Sequence, residues 1–369
     1  MKNKKALVLA STFFSDFSNA GIIYIFTLSM KGEHAIWFSL LWGMYYLGSL
    51  ISHATMAVFI DRVEPKKVMS TSEALRLLLI ILTILLLMFK FMHEIYYIVF
   101  IAMMGLVEPI FHPAEIRLIY HYFKKDELAR VNSMLELSDQ SMSIFAPIIL
   151  LSLSYSPFHI YGYLFLVFVL GMSLRIVNRL STIQPSTKDG QKESHAIGFE
   201  MIQGYRYVLQ NEKLMLASLI LLVANFSFGM TSPLLLPLLR EGIKVHVSLN
   251  YTLVSICESL GLLVSAYTFI KLKSNSVFEE MSWKLSFGGI SILGILFSLI
   301  GFSYRNFLLI AVLYFIVGIL SAVFNIFNNL NFQFLVDEEV VGKVYAIKGL
   351  ITVLGFILGT FTGASLPVT

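Results

Sequence analysis

The feature that most constrains this chain is the alternation of long uncharged apolar runs with short charged clusters. Charge collects in segments such as Asp61 to Lys67, Lys124 to Arg130 and Asp337 to Lys343. The runs between them are long enough to cross a hydrocarbon core about 30 Å thick, which takes about 20 apolar residues as a helix. Lipid offers no water to bond, so each run must close its own backbone hydrogen bonds, which it does as a helix. Of the 369 residues, 57% are apolar and 14% charged, where soluble domains have about 45–50% and 25%. A water-soluble fold is excluded on that ground. The formal charge of +4 resides in the loops and gives no reason to expect a nucleic-acid partner. The single cysteine, Cys257, rules out an intramolecular disulfide and lies in an apolar stretch, as a small core residue does.

Reading each run as a helix places spans at about 6–30, 36–60, 69–89, 95–117, 132–154, 160–178, 214–238, 249–271, 283–302, 306–332 and 344–365, about eleven in all. The start, Met-Lys-Asn-Lys-Lys followed by apolar sequence, imitates a signal peptide, but no small-residue cleavage site closes it and a second span follows at once. It is the first membrane helix, entering from the cytoplasm. The alternate loops then test the orientation independently. Lys2, Lys4, Lys5, Arg62, Lys66, Lys67, Arg117, Lys124, Lys125, Arg130 and Lys343 all fall on the inner side, whereas the outer loops hold Lys31, Lys90, Arg240, Lys244 and Arg305.

The longest polar segment, 181–213, contains Gln184-Pro-Ser-Thr-Lys-Asp-Gly-Gln-Lys-Glu-Ser, the composition of a flexible linker leading to a surface helix. It divides an N-terminal six-helix half, 1–180, from a C-terminal half, 214–369, with five spans. The halves look related. Leu128-Ala-Arg-Val-Asn-Ser-Met after the fourth span aligns with Val341-Gly-Lys-Val-Tyr-Ala-Ile after the tenth, and Phe14-Ser15 with Phe226-Ser227 at a similar offset. Parallel repeats of this kind are found in the halves of major facilitator carriers, whose substrate site lies between the repeats near the midplane.

Two segments carry a more specific resemblance. The loop after the second span, Phe59-Ile-Asp-Arg-Val-Glu-Pro-Lys-Lys, resembles the major facilitator loop signature through Asp61, Arg62, Lys66 and Lys67; Ala57 stands near the usual glycine, and Glu64-Pro65 replaces the usual glycine turn. Phe111-His-Pro-Ala-Glu-Ile-Arg, then Asp126-Glu-Leu-Ala-Arg-Val-Asn-Ser and Ala146-Pro147, is similar to the macrolide-efflux-like and siderophore-exporter-like branch of that superfamily. The resemblance implies an all-α membrane protein, a two-half helical bundle with about eleven of an expected twelve spans. The chain stops at Pro367-Val-Thr just after its eleventh span, so the expectation is either that a final helix is missing from this version or that a span boundary is misassigned. It implies a monomeric, multi-pass protein of a bacterial cytoplasmic membrane with its N-terminus inside. It further implies a small-molecule substrate, a lipid surround, no cofactor or metal, and a proton gradient as the energy source. In the family the loop aspartate helps hold the inward side closed. Carried over, Asp61 faces the start of the span opening near Lys343, where the helix dipole favours an anion, with Arg76 and Arg117 completing the charge cluster; solvation of a tight loop is the alternative.

Ionisable groups inside a membrane cost about 2.5–3.5 kcal/mol on insertion scales and usually face a cavity or a partner. Asp16, Glu108 and Glu258 sit near the middle of their spans. Asp16 and Asn19 share a helix face, and a carboxylate held away from water can take up and release a proton near neutral pH. Glu108, His112 and Glu115 are spaced i, i+4 and i+7, one stripe along the fourth helix, with Pro109 and Pro113 able to kink it. The stripe can relay protons; no complete zinc motif accompanies it. Glu115 and Arg117 lie nearer the inner end, grouped with the loop motif, and Glu136 and Asp139 begin the fifth helix, as an ionic lock or a coupling pair. Asn225 and Asn325 can offer neutral hydrogen bonds to a ligand or serve helix packing. Lys348 can snorkel to the inner surface. Gly355, Gly359 and Gly363 form a small-residue face suited to close helix approach within the bundle.

The reading that joins these features is proton-coupled export of a small organic molecule (a drug, macrolide-like compound or metallophore) by alternating access. Lysophospholipid or metabolite transport, and a transport-inactive membrane interaction protein, remain alternatives. No nucleophile elbow, phosphate loop or paired metal-ligand motif supports an enzyme.

Overall fold

The computed structural model describes residues 2–30, 35–91, 93–123, 125–154, 160–181, 205–271, 277–336 and 341–364, and among them every regular element is a helix. The chain divides into two compact units, Met1–Gly190 and Gln191–Thr369. Among the described residues, seven helices are long and apolar enough to cross a membrane, and Ser138–Leu153, Ser286–Phe302 and Ile347–Gly363 are shorter apolar helices.

In the first unit, α1 is Lys2–Ser29, α2 Ala35–Arg62, α3 Pro65–Met88, α4 Glu94–Val107, α5 Phe111–Tyr122, α6 Lys125–Ser154 and α7 Ile160–Asn178. Helix α1 lies against α6 and α7, α3 against α7 and α5, and α2 against α4. Pro65 opens α3 in its first turn, where the missing N–H would have had no partner. Helix α3 shows how the lipid sorts side chains. Leu75, Leu78, Leu82 and Leu85 are exposed along one stripe, whereas Glu73, Arg76 and Thr83 are buried. That inverts the arrangement of a surface helix in water, because here the surrounding solvent is apolar.

The fourth span, expected at about 95–117 as a helix that Pro109 and Pro113 can kink, is interrupted. A 3-10 turn, Glu108–Ile110, separates α4 from α5, with Pro109 inside it; a proline ring displaces the preceding turn and removes a donor from the ladder. The break leaves His112 and Glu115 on α5 directly beyond Glu108. Helices α2 and α4 meet backbone to backbone through Gly48, set against Ala102 and Leu106, and Gly105, set against Tyr45. That close contact brings the Tyr45 side chain to the break. An apolar cluster of Val8, Met69, Phe111, Ala114, Leu118, Val131 and Val177 packs α1, α3, α5, α6 and α7 together at one end.

In the second unit a helical segment at 205–210 precedes α8, Glu212–Thr231, then α9, Leu235–Gly242, α10, Val247–Lys271, α11, Val277–Phe302, α12, Phe307–Leu335, and α13, Val341–Ala364. The seventh span is also interrupted, by the 3-10 turn Ser232–Leu234 around Pro233. Helix α8 is capped by Asn211, whose side-chain oxygen accepts from the amides of Lys213 (3.1 Å) and Leu214 (3.2 Å). Helix α13 packs on α8, and α10 and α11 pack on α12. The glycine face of the last span lies inside this bundle: Gly355, Gly359 and Gly363 stand against the backbone of Leu222, Phe226 and Met230. The linker segment 182–204 lies outside the described residues.

Candidate functional site

The polar groups of the first unit converge at the break between α4 and α5. Glu108 is buried there, and its two carboxylate oxygens take three contacts. Asn19 Nδ2 of α1 donates to Oε1 at 3.2 Å, and Tyr45 OH of α2 donates to Oε2 at 3.0 Å. His112 Nε2 lies 3.2 Å from Oε1. The other ring nitrogen of His112, Nδ1, lies 3.2 Å from Glu115 Oε2. The second oxygen of Glu115, itself buried, meets the Thr12 hydroxyl of α1. The stripe expected at i, i+4 and i+7 is therefore a carboxylate–imidazole–carboxylate chain, attached to α1 at both ends. Although the carboxylates are enclosed, 45% of the His112 side chain is exposed.

Asp16 is buried one turn from Asn19 and accepts from Ser138 Oγ of α6 at 2.9 Å. Asp139, next to that serine, is exposed and within electrostatic reach of Asp16. Beneath Asp16 lies an ion pair that motif reasoning did not assemble. Arg76 and Glu73 on α3 are both buried, with Arg76 Nη1 3.4 Å from Glu73 Oε1. The guanidinium also donates to Ser15 Oγ (2.9 Å) and the Ser15 carbonyl (3.4 Å), while Ser173 Oγ of α7 donates to Glu73 Oε1 at 3.0 Å. Arg76 thus stands within the unit, holding the residue before Asp16, and is not at the loop where it was grouped. Glu115 likewise belongs to the buried chain. The signal that would have found Glu73 was present: an acid and a base three residues apart in an apolar run can pair only with each other or across to a neighbour.

The loop motif is partly described. Lys67 is 3.8 Å from Glu64 and largely exposed, and Lys66 is half-buried. Arg117 Nη1 donates to the Val63 carbonyl at 3.2 Å, so the end of α5 is fastened to the turn that follows Asp61 and Arg62. The side chains of Asp61, Arg62, Glu136 and Lys343 lie outside the described residues, and with them the expected contact of Asp61 near Lys343.

The second unit carries fewer polar contacts at its candidates. Glu258 is half-buried on α10, close to the buried Tyr314 of α12, and among the described residues its carboxylate has no hydrogen-bond donor. Asn225 is buried and donates to the Leu221 carbonyl of its own helix at 2.8 Å, with α13 passing over it at Gly355. Asn325 is exposed. Two buried amides nearby on α12 escaped sequence reasoning: Asn331 donates to Ser286 Oγ at 3.3 Å, and Asn328 Oδ1 has no partner among the described residues. Lys348 is half-buried with its ammonium 5.1 Å from the Phe332 ring centroid, a cation–π contact. Among the described residues no three His, Cys, Asp or Glu side chains are grouped as a metal ion would need.

Chemically, the first unit can hold and exchange protons. Four buried carboxylates, Asp16, Glu73, Glu108 and Glu115, surround one guanidinium and one imidazole.

The sequence profile described as Major Facilitator Superfamily matches residues 8–360. Among solved structures, the chain is similar to a crystal structure of a point mutant of the nucleoside transporter NupG, with a TM-score of 0.72 and 12% identity over 98% of this chain and 89% of that one. It is similar also to the crystal structure of NupG without the mutation, with a TM-score of 0.67 and 12% identity over 98% and 90%. At that identity the likeness is one of fold. No curated protein matches the chain.

Proposed function

We propose that this chain, which belongs to the major facilitator superfamily, exports a small organic molecule in exchange for protons. Secondary transport follows from the family and from the fold shared with solved transporters; the protein is a transporter and not an enzyme. The proton as coupling ion rests on one observation: the carboxylate–imidazole–carboxylate chain Glu108–His112–Glu115 joins two broken halves of a membrane helix to α1. Titratable groups that tie separate helices together let binding of a proton alter helix packing, and alternating access needs that link.

In this reading Asp16, Glu108 and His112 carry the proton, and Asn19 and Asn325 offer hydrogen bonds to the substrate. Glu258, with no counter-charge beside it among the described residues, supplies an acid in the C-terminal half. We place about eleven spans, halves at 1–180 and 214–369, the linker 181–213 and the N-terminus in the cytoplasm of a bacterial cell, with a monomer as the working unit. Asp61, Arg62, Lys66, Lys67, Glu136 and Asp139 form the inner-side lock. Drugs, macrolide-like compounds and metallophores are the leading substrates. Nucleosides enter the panel because a fold neighbour is a nucleoside transporter, and lysophospholipids because the same fold can carry them.

The test is flux in proteoliposomes holding the full chain. An imposed pH gradient drives at least one member of the panel outward with respect to the cytoplasmic face, and Asp16→Asn abolishes the coupling. Flux indifferent to the gradient would remove the proton from the mechanism.

A further inference from the structure

The chain Glu108–His112–Glu115 has more hydrogen-bond contacts than protons to fill them. A neutral imidazole carries one N–H, yet both His112 nitrogens lie 3.2 Å from a carboxylate oxygen. With both carboxylates ionised, one of these contacts sets a lone pair against an anion. The same shortage recurs at Thr12, whose hydroxyl has one proton and faces both the Val8 carbonyl, at 3.1 Å, and Glu115 Oε1. Glu108 is better served, since Asn19 and Tyr45 both bring their own protons. The whole arrangement closes only when a further proton resides in the chain, on the imidazole or on a carboxyl.

We propose that His112 is a proton-operated clamp on α1, and that its release point is the Glu115 end. With the additional proton bound, His112 bridges both carboxylates, and these hold α1 at two levels, through Asn19 and through Thr12. When that proton leaves, it passes from a nitrogen of the partly exposed imidazole to water, and no other atom is oxidised, reduced or transferred. The remaining N–H can serve one carboxylate. The two ends compete unequally: among the described residues Glu115 has Thr12 alone as a second partner, and that hydroxyl has the Val8 carbonyl as an alternative acceptor, so the Glu115 tie parts and α1 is freed at the Thr12 level. The groups facing the clamp are Asp16 on α1, Tyr45 and Tyr46 on α2, Arg76 with Glu73 on α3, and Asp139 beside Ser138 on α6. Arg117 on α5 turns away to the Val63 carbonyl. The clamp rests on the proton-coupled reading above and gives it a moving part.

The experiment measures helix separation without needing a substrate. In full-length protein carrying Cys257→Ser, spin labels are attached at Lys4→Cys on α1 and His121→Cys on α5, both exposed positions. Distances are recorded in lipid nanodiscs across a pH series. The clamp predicts two separations whose ratio, open over closed, rises about tenfold per pH unit through the transition, as one released proton requires. Glu115→Gln supplies its own N–H to His112 and remains closed at every pH; His112→Ala loses the response. A single separation independent of pH in the unaltered positions overturns the clamp, as does a response that survives both substitutions. The two readings fail separately. Gradient-driven flux with a fixed α1–α5 separation removes the clamp and leaves proton coupling standing. A pH-switched separation in a protein whose flux ignores the gradient upholds the clamp and removes the coupling.

Discussion

Arg76→Gln removes the guanidinium from a site where its side chain is 1% exposed and that of Glu73 is 0% exposed. The change leaves Glu73 with the Ser173 hydroxyl as its remaining donor among the described residues, where its other carboxylate oxygen is already without a partner. It also strips α1 of the donors to the Ser15 hydroxyl and carbonyl. Breaking one side of a buried pair costs about 3–5 kcal/mol, because the surviving charge stays in a medium that cannot solvate it. An ordinary hydrogen bond between membrane helices is worth about 0.6 kcal/mol on average and about 1.7 at most, so the two classes of interaction are well separated in magnitude. Glu73→Gln faces the mirror-image cost. The double variant holds no charge, and its destabilisation falls short of the sum of the singles by up to about 3 kcal/mol, the upper range of coupling for contacting residues. The assay is a double-mutant cycle by detergent-induced unfolding of the full chain in mixed micelles, followed by circular dichroism. Single variants each costing under about 1 kcal/mol, combining additively, would show that the pair bears no charge or is not shielded from water, and the reasoning would be refuted.

Other expectations follow from the same geometry. A side chain at Gly359 would collide with the Phe226 carbonyl, so Gly359→Leu forces α13 off α8 and lowers unfolding stability by about 1–3 kcal/mol or more; unchanged stability would mean the helices do not meet there. Ser138→Ala deprives Asp16 of its donor at 2.9 Å and lowers flux, with Ser138→Thr restoring most of it, whereas an alanine variant with full flux would place Asp16 outside the coupling path. The two asparagines part ways. Asn225→Leu, beneath Gly355, lowers stability by about 1–3 kcal/mol through overpacking. The exposed Asn325→Ala shifts stability by no more than about 0.5 kcal/mol and acts on flux alone, as parallel unfolding and flux measurements check.

The helical architecture was legible because a long apolar run in lipid can close its own backbone hydrogen bonds as a helix, so such runs marked where helices form. Their breaks were partly legible: Pro109 signalled a kink, but the 3-10 turn at Glu108–Ile110 and the close contact of Gly105 with Tyr45 beside it were not. The alignment of Glu108, His112 and Glu115 was readable from period alone, since residues spaced by four and seven share a face. Which partners they meet was not. Thr12, Tyr45, Ser138 and Ser173 are unremarkable in the sequence and become partners through helix adjacency, which no single-helix period encodes. Glu73 was missed because it sits near the start of its span, where an acid reads as part of the loop. Asn225 illustrates the reverse, a polar residue in a promising place that satisfies itself against its own helix.

The central claim, exchange of a proton against a small molecule, is tested most directly in reverse. Proteoliposomes containing the full chain and a trapped pH dye are given a substrate gradient with no pH gradient, and the lumen is followed by fluorescence. Coupling is reciprocal, so substrate moving down its gradient must drive protons the other way, changing lumenal pH in proportion to the substrate moved, and Asp16→Asn must uncouple the two. Substrate flux that leaves the lumenal pH unchanged, with the membrane shown to hold an imposed gradient, would contradict the account.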